Sequence, residues 1–461
     1  MKRISFTLIL ICFFQFLFAQ QETKYWYFGH EAGLVFNNGI PTALIDGMTN
    51  IDEGCATISD SIGNLLFYTD GVTVWNKNHQ IMSNGTGLFG GAISYSTTQA
   101  AIIIPQPLNN NIYYIFTVDE VAGYWGGYGG ISYSIADMNL QGGLGAITTK
   151  NTPLLTPTAE KVTAVLHSNG TDIWIMTQQW GTNSKYAWLL TSAGLNATPV
   201  VSNIGTVQNW TGNFNAETQG YMKFSIDGSK LGSAIGPMGI IEVFDFNTTT
   251  GVVSNPITIN ALGGFYGLEF SPDNSRLYST TWSSKILQWD LTLGSQTAIN
   301  NSQTLIHQTP FSPTMHITLG LQLAIDCKIY VSIDGVDSLG IIQNPNQLGS
   351  LCNYVHNALS LNGKYGTSGF PNFIQSYFNV CNTVGINSIS AQPTMSVYPN
   401  PTNKVLNLFL DKSGDIIISN TLGDIVLQKN GEGKVELDVS SLSSGIYFIK
   451  AGSEVRKFVK E

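Results

Sequence analysis

Apolar positions alternate with polar ones along most of the chain, in short runs that each follow a polar turn. The clearest runs are Leu65–Tyr68, Ile112–Phe116 and Ile173–Met176. A period of two residues is typical of β-strands with one buried face. From residue 25 to residue 461, no run keeps the three- and four-residue spacing of an amphipathic helix. The pattern therefore predicts an all-β protein.

The combination of a polar turn and an apolar strand recurs six times as a loose repeat. The repeat units are Ser59–Asn76, Asn109–Glu120, His167–Trp180, Phe224–Asn247, Phe270–Leu291 and Ala324–Pro345. Their turns are roughly 45 to 60 residues apart, a period typical of propellers and repeat arrays. One such small sheet cannot bury both of its faces, whereas several sheets packed radially around a channel can. The repeat therefore predicts a β-propeller over residues 24–381.

The two ends of this region predict how the ring closes. Lys24–Phe36 begins with a strand that no turn precedes, and Phe370–Val380 ends with a strand that has no hairpin partner. A closed ring joins its first and last strands, so we expect these two segments to share one composite blade. With the six repeat units, this makes seven blades, while six or eight remain open.

A smaller unit follows a polar linker over residues 382–394. Between residues 395 and 461, turns rich in glycine and serine separate five alternating runs. These runs are Lys404–Leu410, Asp415–Asn420, Asp424–Lys429, Lys434–Val439 and Gly445–Ala451. Short alternating strands with frequent turns predict a small C-terminal β-sandwich.

Four motifs in this unit carry a family resemblance. They are "YPNPTNKVLNL" from Tyr398, "NTLGDIV" from Asn420, "VSSLSSGIYFIKA" from Val439 and "RKFVKE" from Arg456. In their order and spacing they closely resemble the type A C-terminal sorting domain of the type IX secretion system of certain two-membrane bacteria. The resemblance implies a sandwich that binds the outer-membrane translocon and sorting machinery and is commonly cleaved off. It assigns the sorting signal to Tyr398, Pro399, Pro401, Gly445, Tyr447, Lys457 and Lys460.

A second resemblance covers the repeat region. "YWYFGHEAGLVF", "YGLEFSPDNSRLY" and "PNFIQSYF" resemble the propeller portion of large surface proteins that carry the same sorting domain. "FSPDNSRLY" (Phe270–Tyr278) is also similar to the strand-turn-strand core of WD-type repeats. The resemblance implies a fold and no particular activity, because propellers serve as enzymes and as binding scaffolds.

Residues 1–19 predict export. Lys2 and Arg3 precede the apolar run Ile4–Phe18, and Ala19 offers a cleavage site. This is the pattern of a secretory signal peptide, and the run is too short for a membrane-spanning helix. No later run is long and apolar enough to span, so we expect no transmembrane anchor. A type IX cargo needs such a signal, so we expect Sec export to the periplasm and then delivery to the cell surface or the medium.

Four cysteines follow the signal: Cys55, Cys327, Cys352 and Cys381. An even number in an exported chain suits disulfides, although the sequence alone allows three pairings. Cys327 and Cys352 flank one strand-rich segment, so we expect a bridge between them. Cys55 lies in an apolar run and can equally be a small buried residue.

Composition and motifs argue against several functions. The chain has a net charge of −9 and no basic run, which makes nucleic acid a poor partner. Its histidines and cysteines show neither H-E-x-x-H nor C-x-x-C spacing, so we expect no metal site. No motif predicts a cofactor, and no G-x-S-x-G nucleophile turn is present.

A carboxylate pair is the catalytic arrangement that the sequence leaves open. Such a pair serves glycoside hydrolysis, but its spacing cannot be predicted here, and turn acids are common in propellers. The alternative function is therefore a secreted polysaccharide-active hydrolase with carboxylates near the channel. The candidates are Asp52, Glu53, Asp119, Glu120, Glu160, Glu217 and Glu269.

The glycine-rich segment Val121–Tyr133 is the most distinctive insertion between repeats. It carries Tyr124, Trp125 and Tyr128, whose rings could stack on a sugar or a peptide side chain, or pack between blades. Together with the absence of a catalytic motif, this favours a secreted or cell-surface propeller that binds a glycan or a protein without catalysing a reaction. We take these three aromatic residues as the candidate ligand-binding residues.

Overall fold

The computed structural model describes residues 21–91, 96–120, 129–208, 218–236, 238–260, 263–310, 316–382, 395–451 and 454–461. The chain divides into two compact units, residues 1–383 and residues 384–461. The first is a β-propeller and the second a small β-sandwich, as the sequence predicts.

In the described part of the first unit, the strands form seven blades, two of which (blades 2 and 3) are joined at their outermost strands by one parallel pair, Ser83 with Ala146. Blade 1 contains β1 (Tyr25–Phe28), β2 (Ala32–Asn37) and β3 (Ile40–Leu44). Blade 2 contains β4 (Ala56–Ser59), β5 (Leu65–Thr69), β6 (Thr73–Asn76) and β7 (Ile81–Thr86). Blade 3 contains β8 (Ala101–Gln106), β9 (Asn109–Val118), β10 (Ile131–Asp137) and β11 (Ala146–Leu155). Blade 4 contains β12 (Thr163–Leu166), β13 (Ile173–Gln178), β14 (Ser184–Thr191), β15 (Gly194–Leu195) and β16 (Val200–Asn203).

The last three blades have four strands each. Blade 5 contains β17 (Met222–Phe224), β18 (Lys230–Ile235), β19 (Ile240–Asn247) and β20 (Val252–Asn260). Blade 6 contains β21 (Phe265–Phe270), β22 (Arg276–Thr281), β23 (Lys285–Asp290) and β24 (Thr304–Gln308). Blade 7 contains β25 (Thr318–Leu323), β26 (Ile329–Ile333), β27 (Ser338–Ile342) and β28 (Tyr354–Ser360). The described helices are α1 (Gln296–Asn301) and 3₁₀-helices at Gln141–Gly143, Leu291–Leu293, Gly349–Cys352 and Gln375–Asn382.

In blades 2 to 7 the first strand is innermost, and each ladder runs outward with antiparallel pairing. We call the side of the ring where these innermost strands begin the entry face, and the side where they end the exit face. The turn from the first to the second strand of a blade therefore lies on the exit face. The connection from one blade to the next reaches the entry face.

The repeated turn has one physical cause in blades 5 and 6. Asp227 Oδ1 accepts hydrogen bonds from Ser229 N at 2.9 Å and from the Ser225 hydroxyl at 2.7 Å. Asp273 Oδ1 is bonded in the same way to Ser275 N at 3.0 Å and to the Ser271 hydroxyl at 2.7 Å. An aspartate that accepts bonds from its own turn fixes the chain reversal, so the same sequence pattern gives the same hairpin in both blades.

Residues Tyr365–Cys381, which we call the axial segment, run through the middle of the ring. Asn372 N donates to Cys55 O at 2.9 Å, and Asn372 Nδ2 donates to Val162 O at 2.7 Å. Further on, the Ser376 hydroxyl accepts a hydrogen bond from Leu166 N at 3.0 Å on the exit face. The segment thus links the innermost strands of different blades and fills the channel from the entry face to the exit face.

The axial segment corrects the predicted composite blade. Its start forms an antiparallel bridge from Tyr365 to His30, and Phe370 packs on Trp26 and Phe28 with ring centres 5.5 and 5.1 Å apart. It therefore lies inside blade 1, which has no innermost strand of its own. However, Phe370–Val380 forms no strand with blade 1, because its polar groups bond to several blades and the 3₁₀-helix begins at Gln375.

The predicted disulfide between Cys327 and Cys352 is also wrong. Cys327 pairs with Cys381, while Cys352 and Cys55 are buried free thiols. Cys327 lies in the exit-face turn of blade 7, where the axial segment ends. The bridge therefore ties the end of the axial segment to the ring, a contact that exists only because the segment crosses the channel.

The second unit contains β29 (Met395–Tyr398), β30 (Val405–Ser419), β31 (Ile425–Asp438), β32 (Gly445–Ala451) and β33 (Glu454–Lys460). β30 pairs with β29, β31 and β32, and β33 pairs with β32. The ladder between β30 and β31 shifts register between Leu410 and Gly414. The core is formed by Leu406, Leu408, Ile416, Ile418, Val435, Leu437, Val439, Tyr447, Ile449 and Phe458.

Candidate functional site

Two of the predicted carboxylic acids, Glu53 and Glu160, come together at the entry face of the propeller. Each lies in the connection that leads into an innermost strand, and their residues are only 5% and 6% exposed. Gln99 N donates to Glu160 O at 3.2 Å, and Gly54 N donates to Thr97 O at 3.0 Å, which joins the connections. A Cβ on Gly54 would lie 2.1 Å from Ala100 N, so only glycine permits this approach.

Glu160 is held by hydroxyl and amide donors. Its Oε1 accepts a bond from the Thr218 hydroxyl at 2.9 Å, and its Oε2 faces the Thr98 hydroxyl and N–H at 3.3 and 3.4 Å. Burial raises the pKa of Glu160 to about 7, against the lowering effect of these donors, and the negative charge of Glu120 raises it further. Glu160 is therefore poised to change protonation near neutral pH.

Of the two acids, Glu53 has the more strongly raised pKa. Burial raises its pKa well above the ordinary value, and the charge of Glu160 adds to the effect. The fully buried ring of Tyr266, on β21, adjoins this group, and burial together with the charge of Glu53 raises the pKa of its hydroxyl. A neutral acid beside an ionisable one is an arrangement that can transfer protons, provided that a substrate can reach it.

The other candidate acids have different surroundings. Asp52 is exposed and lies 3.4 Å from His30 Nε2, and Asp119 Oδ1 accepts a bond from Gly91 N at 3.1 Å. Glu120 couples electrostatically to Glu160, as described above. Glu217 lies outside the described residues. The structure thus brings Glu53, Glu120 and Glu160 together. The spacing of the acids along the sequence could not identify this set.

Glu269 belongs to a structural ion pair deeper in the channel. Its Oε2 lies 3.2 Å from Lys223 Nζ and accepts a bond from Leu323 N at 3.0 Å, and Lys223 also donates to Gln322 Oε1 at 2.5 Å. Burial raises the pKa of Glu269 and lowers that of Lys223. Phe370 and Asn372 of the axial segment lie beside Lys223. Both side chains of the ion pair are only 1% exposed, so the pair belongs to the interior of the ring.

The predicted ligand-binding residues Tyr124, Trp125 and Tyr128 lie outside the described residues. The chain on either side of them is anchored beside Glu160. Asp119 N donates to Gly130 O at 3.0 Å, and Thr158 N donates to Gly129 O at 2.9 Å. Trp282 is a further aromatic side chain on this face, not predicted as a binding residue. It is 36% exposed in the entry-face turn of blade 6 and packs on Tyr266. In the sequence, its exposure is indicated only by its position in a tight turn between two strands.

The described residues contain no group of three or more histidine, cysteine, aspartate or glutamate side chains placed to hold a metal ion. Among the helices in the described ranges, none is long and apolar enough to cross a membrane.

The predicted sorting residues occupy two neighbouring stretches and one internal strand of the C-terminal unit. Tyr398, Pro399 and Pro401 lead into Thr402, which bridges to Lys460 in the last strand. Gly445 and Tyr447 belong to β32, and Tyr447 stacks on Phe458 with ring centres 5.6 Å apart. Lys457 is exposed and Lys460 is buried.

Asn400, which is not among the predicted sorting residues, connects these stretches. Its Nδ2 donates to Lys457 O at 3.0 Å, and its Oδ1 accepts a bond from Val459 N at 2.9 Å. The asparagine between the two prolines therefore holds the start of the unit against the last strand. In the sequence, this role is indicated only by the position of Asn400 between the two prolines of the recognised motif.

Comparison with known proteins identifies the C-terminal unit. Residues 396–461 match the family described as the secretion system C-terminal sorting domain. The chain thus carries a type IX sorting domain, interacts through it with the type IX machinery, and is delivered to the cell surface or outside the cell. No curated protein is significantly similar to the chain.

Solved propeller structures are similar to the chain at low sequence identity. The periplasmic gluconolactonase of Pseudomonas aeruginosa has a TM-score of 0.40 and 12% identity, over 85% of this chain and 97% of its own. Hsv2 of Kluyveromyces lactis has a TM-score of 0.39 and 9% identity, over 70% and 90%. The β-propeller domain of Cps50 (Swd1) from Myceliophteria thermophila has a TM-score of 0.39 and 8% identity, over 68% and 94%.

The raised pKa of Glu160 predicts how the stability of the ring depends on pH. Because the pKa rises from 4.5 in the unfolded chain to about 7 in the folded one, the folded state binds this proton more tightly. The resulting stabilisation is present below pH 4.5 and is lost as the pH rises to about 7, a change of about 3 kcal/mol. Glu160→Gln removes the titration, so its free energy of unfolding relative to wild type should increase by about that amount between pH 4.5 and 7.5.

Urea unfolding followed by tryptophan fluorescence measures this difference. All nine tryptophans lie between residues 26 and 289, so the signal reports on the ring alone. Asp137→Asn, at a half-buried turn carboxylate on the exit face, serves as the control and should show no such trend. A difference between Glu160→Gln and wild type that stays constant with pH would contradict the assigned burial of an ionisable Glu160.

Proposed function

We propose that the chain is a non-enzymatic binding protein whose entry face takes up a glycan or a protein ligand outside the cell. The filled channel is the observation that carries this proposal. The axial segment occupies the position where a propeller enzyme would admit a substrate, and a Cβ on its Gly369 would lie only 2.0 Å from Glu53 O. Because the axial segment fills the channel, the entry-face loops are a surface where a ligand can bind without entering the ring.

Aromatic side chains at the entry face supply the contact chemistry of this proposal. Trp282 is partly exposed, and Tyr365, at the start of the axial segment, is 48% exposed. Asp119 and Gly130, which flank Tyr124, Trp125 and Tyr128 in the sequence, are bonded to each other on the same face. Aromatic rings give a ligand apolar area with little loss of side-chain freedom, and their faces stack on pyranose rings.

A binding experiment with paired variants tests the proposal. The purified mature protein is applied to a glycan array and to surface proteins of its own cell envelope, and bound ligands are incubated with it to detect turnover. Trp125→Ala and Trp282→Ala should each weaken binding by about tenfold, the size expected for an interfacial tryptophan. Leu351→Ala, at a 67% exposed position on the exit side of blade 7, should bind like wild type. Equal binding by all three variants would refute the entry face as the binding surface.

A secreted hydrolase is the second candidate, and the perturbed pair Glu53 and Glu160 is the observation in its favour. A neutral acid and an acid with a pKa of about 7 could act as general acid and base. A panel of polysaccharides is incubated with wild type and with Glu53→Gln and Glu160→Gln. Hydrolysis that both substitutions abolish while the ring stays folded would establish this candidate and overturn the binding proposal. An inactive wild type supports the binding proposal.

The predicted signal peptide belongs to the same proposal. We propose that residues 1–19 direct Sec export to the periplasm and are removed after Ala19, before the type IX machinery takes over. Their composition supports this. Mass spectrometry of the exported protein should find residue 20 at its amino terminus.

A further inference from the structure

The exit face carries a pocket of about 380 Å³ that the proposed function does not use. It lies where the first turns of blades 2 and 3 meet the end of the axial segment. Its walls include Glu22, Asp60, Asn110, Asn111, Tyr113 and Tyr377. The volume is within the range of sites for small organic molecules.

The charged side chains that line the pocket are all negative. Two carboxylates line it, and no lysine, arginine or histidine is among the described residues of its wall. Asp60 is fixed as a turn residue, since its Oδ1 accepts bonds from Ile62 N at 3.1 Å and Asn64 N at 2.8 Å. Lys24 passes beside this turn at Gly63 but is not among the residues that line the pocket. The walls therefore favour a positively charged group.

Glu22 has one carboxylate oxygen without a hydrogen-bond donor. Its Oε2 is buried and accepts no hydrogen bond from any residue in the described ranges. Burial raises the pKa of Glu22, a hydrogen bond from its own backbone N–H lowers it, and the charge of Asp60 raises it further. A buried carboxylate oxygen without a donor is unfavourable, whereas an ammonium brings three donors and the opposite charge.

The remaining walls suit a compact polar ligand. Tyr113 and Tyr377 are mostly buried and contribute aromatic surface to the wall. Burial, followed by the charges of Asp60 and Glu22, raises the pKa of Tyr113 to about 12, which places this ring among the acids. Asn110 and Asn111 are exposed at the rim, where their amides can both donate to and accept from hydroxyl groups.

We propose that this pocket binds an amino sugar, a pyranose-sized ligand with a free primary ammonium, and that Glu22 receives the ammonium. The inference rests on the proposed binding function and gives it a ligand class and a second site at the opposite end of the ring. Asp60 contributes a fixed negative charge, the two tyrosines cover the apolar side of the sugar ring, and the rim amides bind its hydroxyls.

Calorimetric titration of the full mature chain with glucosamine and with glucose tests the proposal. The two sugars differ in one ammonium in place of one hydroxyl, so the comparison isolates the charge. Glucosamine should bind at least about tenfold more tightly than glucose, the effect expected for a charge-assisted hydrogen bond. Glu22→Gln should remove that preference, because it keeps the size of the side chain and loses its charge.

Two further variants make the result specific to the pocket. Asp172→Asn, in the corresponding turn of blade 4, removes a carboxylate on the same face and should leave glucosamine binding unchanged. Ser61→Arg, at an exposed pocket residue, places a guanidinium in the site and should abolish binding, with tryptophan fluorescence confirming that the ring is folded. Equal affinity for the two sugars, unaltered binding by Glu22→Gln, or no saturable binding of glucosamine would overturn the proposal.

The outcome is separable from that of the proposed function. Entry-face binding that depends on Trp282, with no glucosamine binding at the exit face, would refute only the pocket. Glucosamine binding that depends on Glu22, with no ligand at the entry face, would support the pocket and remove the entry-face site.

Discussion

A chain without residues 390–461 is expected to accumulate in the periplasm instead of reaching the cell surface or the medium. The sorting domain lies in the deleted part, and the predicted signal peptide and the whole propeller unit remain. The propeller should stay folded, because the axial segment and its disulfide end at Cys381, before the deletion begins. Cell fractionation with an antibody against the propeller measures the distribution, and the expected loss of surface and extracellular protein is nearly complete.

A single substitution in the sorting domain should reduce export partially instead of abolishing it. Asn400→Ala removes both hydrogen bonds that hold the proline motif against the last strand, which should destabilise the sorting domain by about 1–3 kcal/mol and reduce export in proportion. Asn430→Ala is the matched control, because this exposed asparagine bonds to Asp415 in the same unit and not to the last strand. Surface delivery of the shortened chain would refute the role of the domain, and equal export of both asparagine variants would refute the role of Asn400.

The sequence predicts the blades well because each one repeats a local interaction. The turns at Asp227 and Asp273 hold themselves with their own side chains, so a few neighbouring residues are enough to specify each hairpin. The sorting domain could be recognised for a similar reason, since its motifs are contiguous. Even there, the function of Asn400 depends on a strand that lies almost sixty residues further on.

The sequence predicts the centre of the propeller poorly because contacts there join residues from distant blades. Asn372 bonds to Cys55 and to Val162, and neither contact leaves a periodic pattern in the apolar residues. The same difficulty applies to Glu53 and Glu160. Both were candidate acids, but which acids meet depends on how the ring closes. Glu269 looked equivalent in sequence and instead pairs with Lys223.

The wrong disulfide has the same physical origin. Cys327 and Cys352 are near one another in sequence, and that proximity suggested a bridge within blade 7. In the folded chain, the axial segment returns to the exit face and brings Cys381 to Cys327, with their Cα atoms 5.3 Å apart. Cys352 is buried in the core of blade 7 and its neighbours, as a free thiol.

Removal of the Cys327–Cys381 bridge is expected to destabilise the propeller by about 4 kcal/mol. The bridge closes a loop of 54 residues, and in the chain-entropy description the stabilisation grows with the length of the closed loop. Its position adds a structural reason. The axial segment provides the inner side of blade 1, so its release would expose Trp26 and Phe28, which are fully buried in the intact ring. An open blade with exposed apolar residues also promotes aggregation.

Thermal unfolding followed by tryptophan fluorescence, with and without reductant, measures the effect. Wild type should melt at a lower temperature when reduced, and Cys327→Ser and Cys381→Ser should each melt near the temperature of the reduced wild type without responding to reductant. Cys352→Ala is the decisive control, because it removes the other cysteine of blade 7 and should keep the full response. If Cys352→Ala abolished the response, the bridge would join Cys327 to Cys352 after all. If the reduced and oxidised wild type melted together, the axial segment would be held by its packing and hydrogen bonds alone.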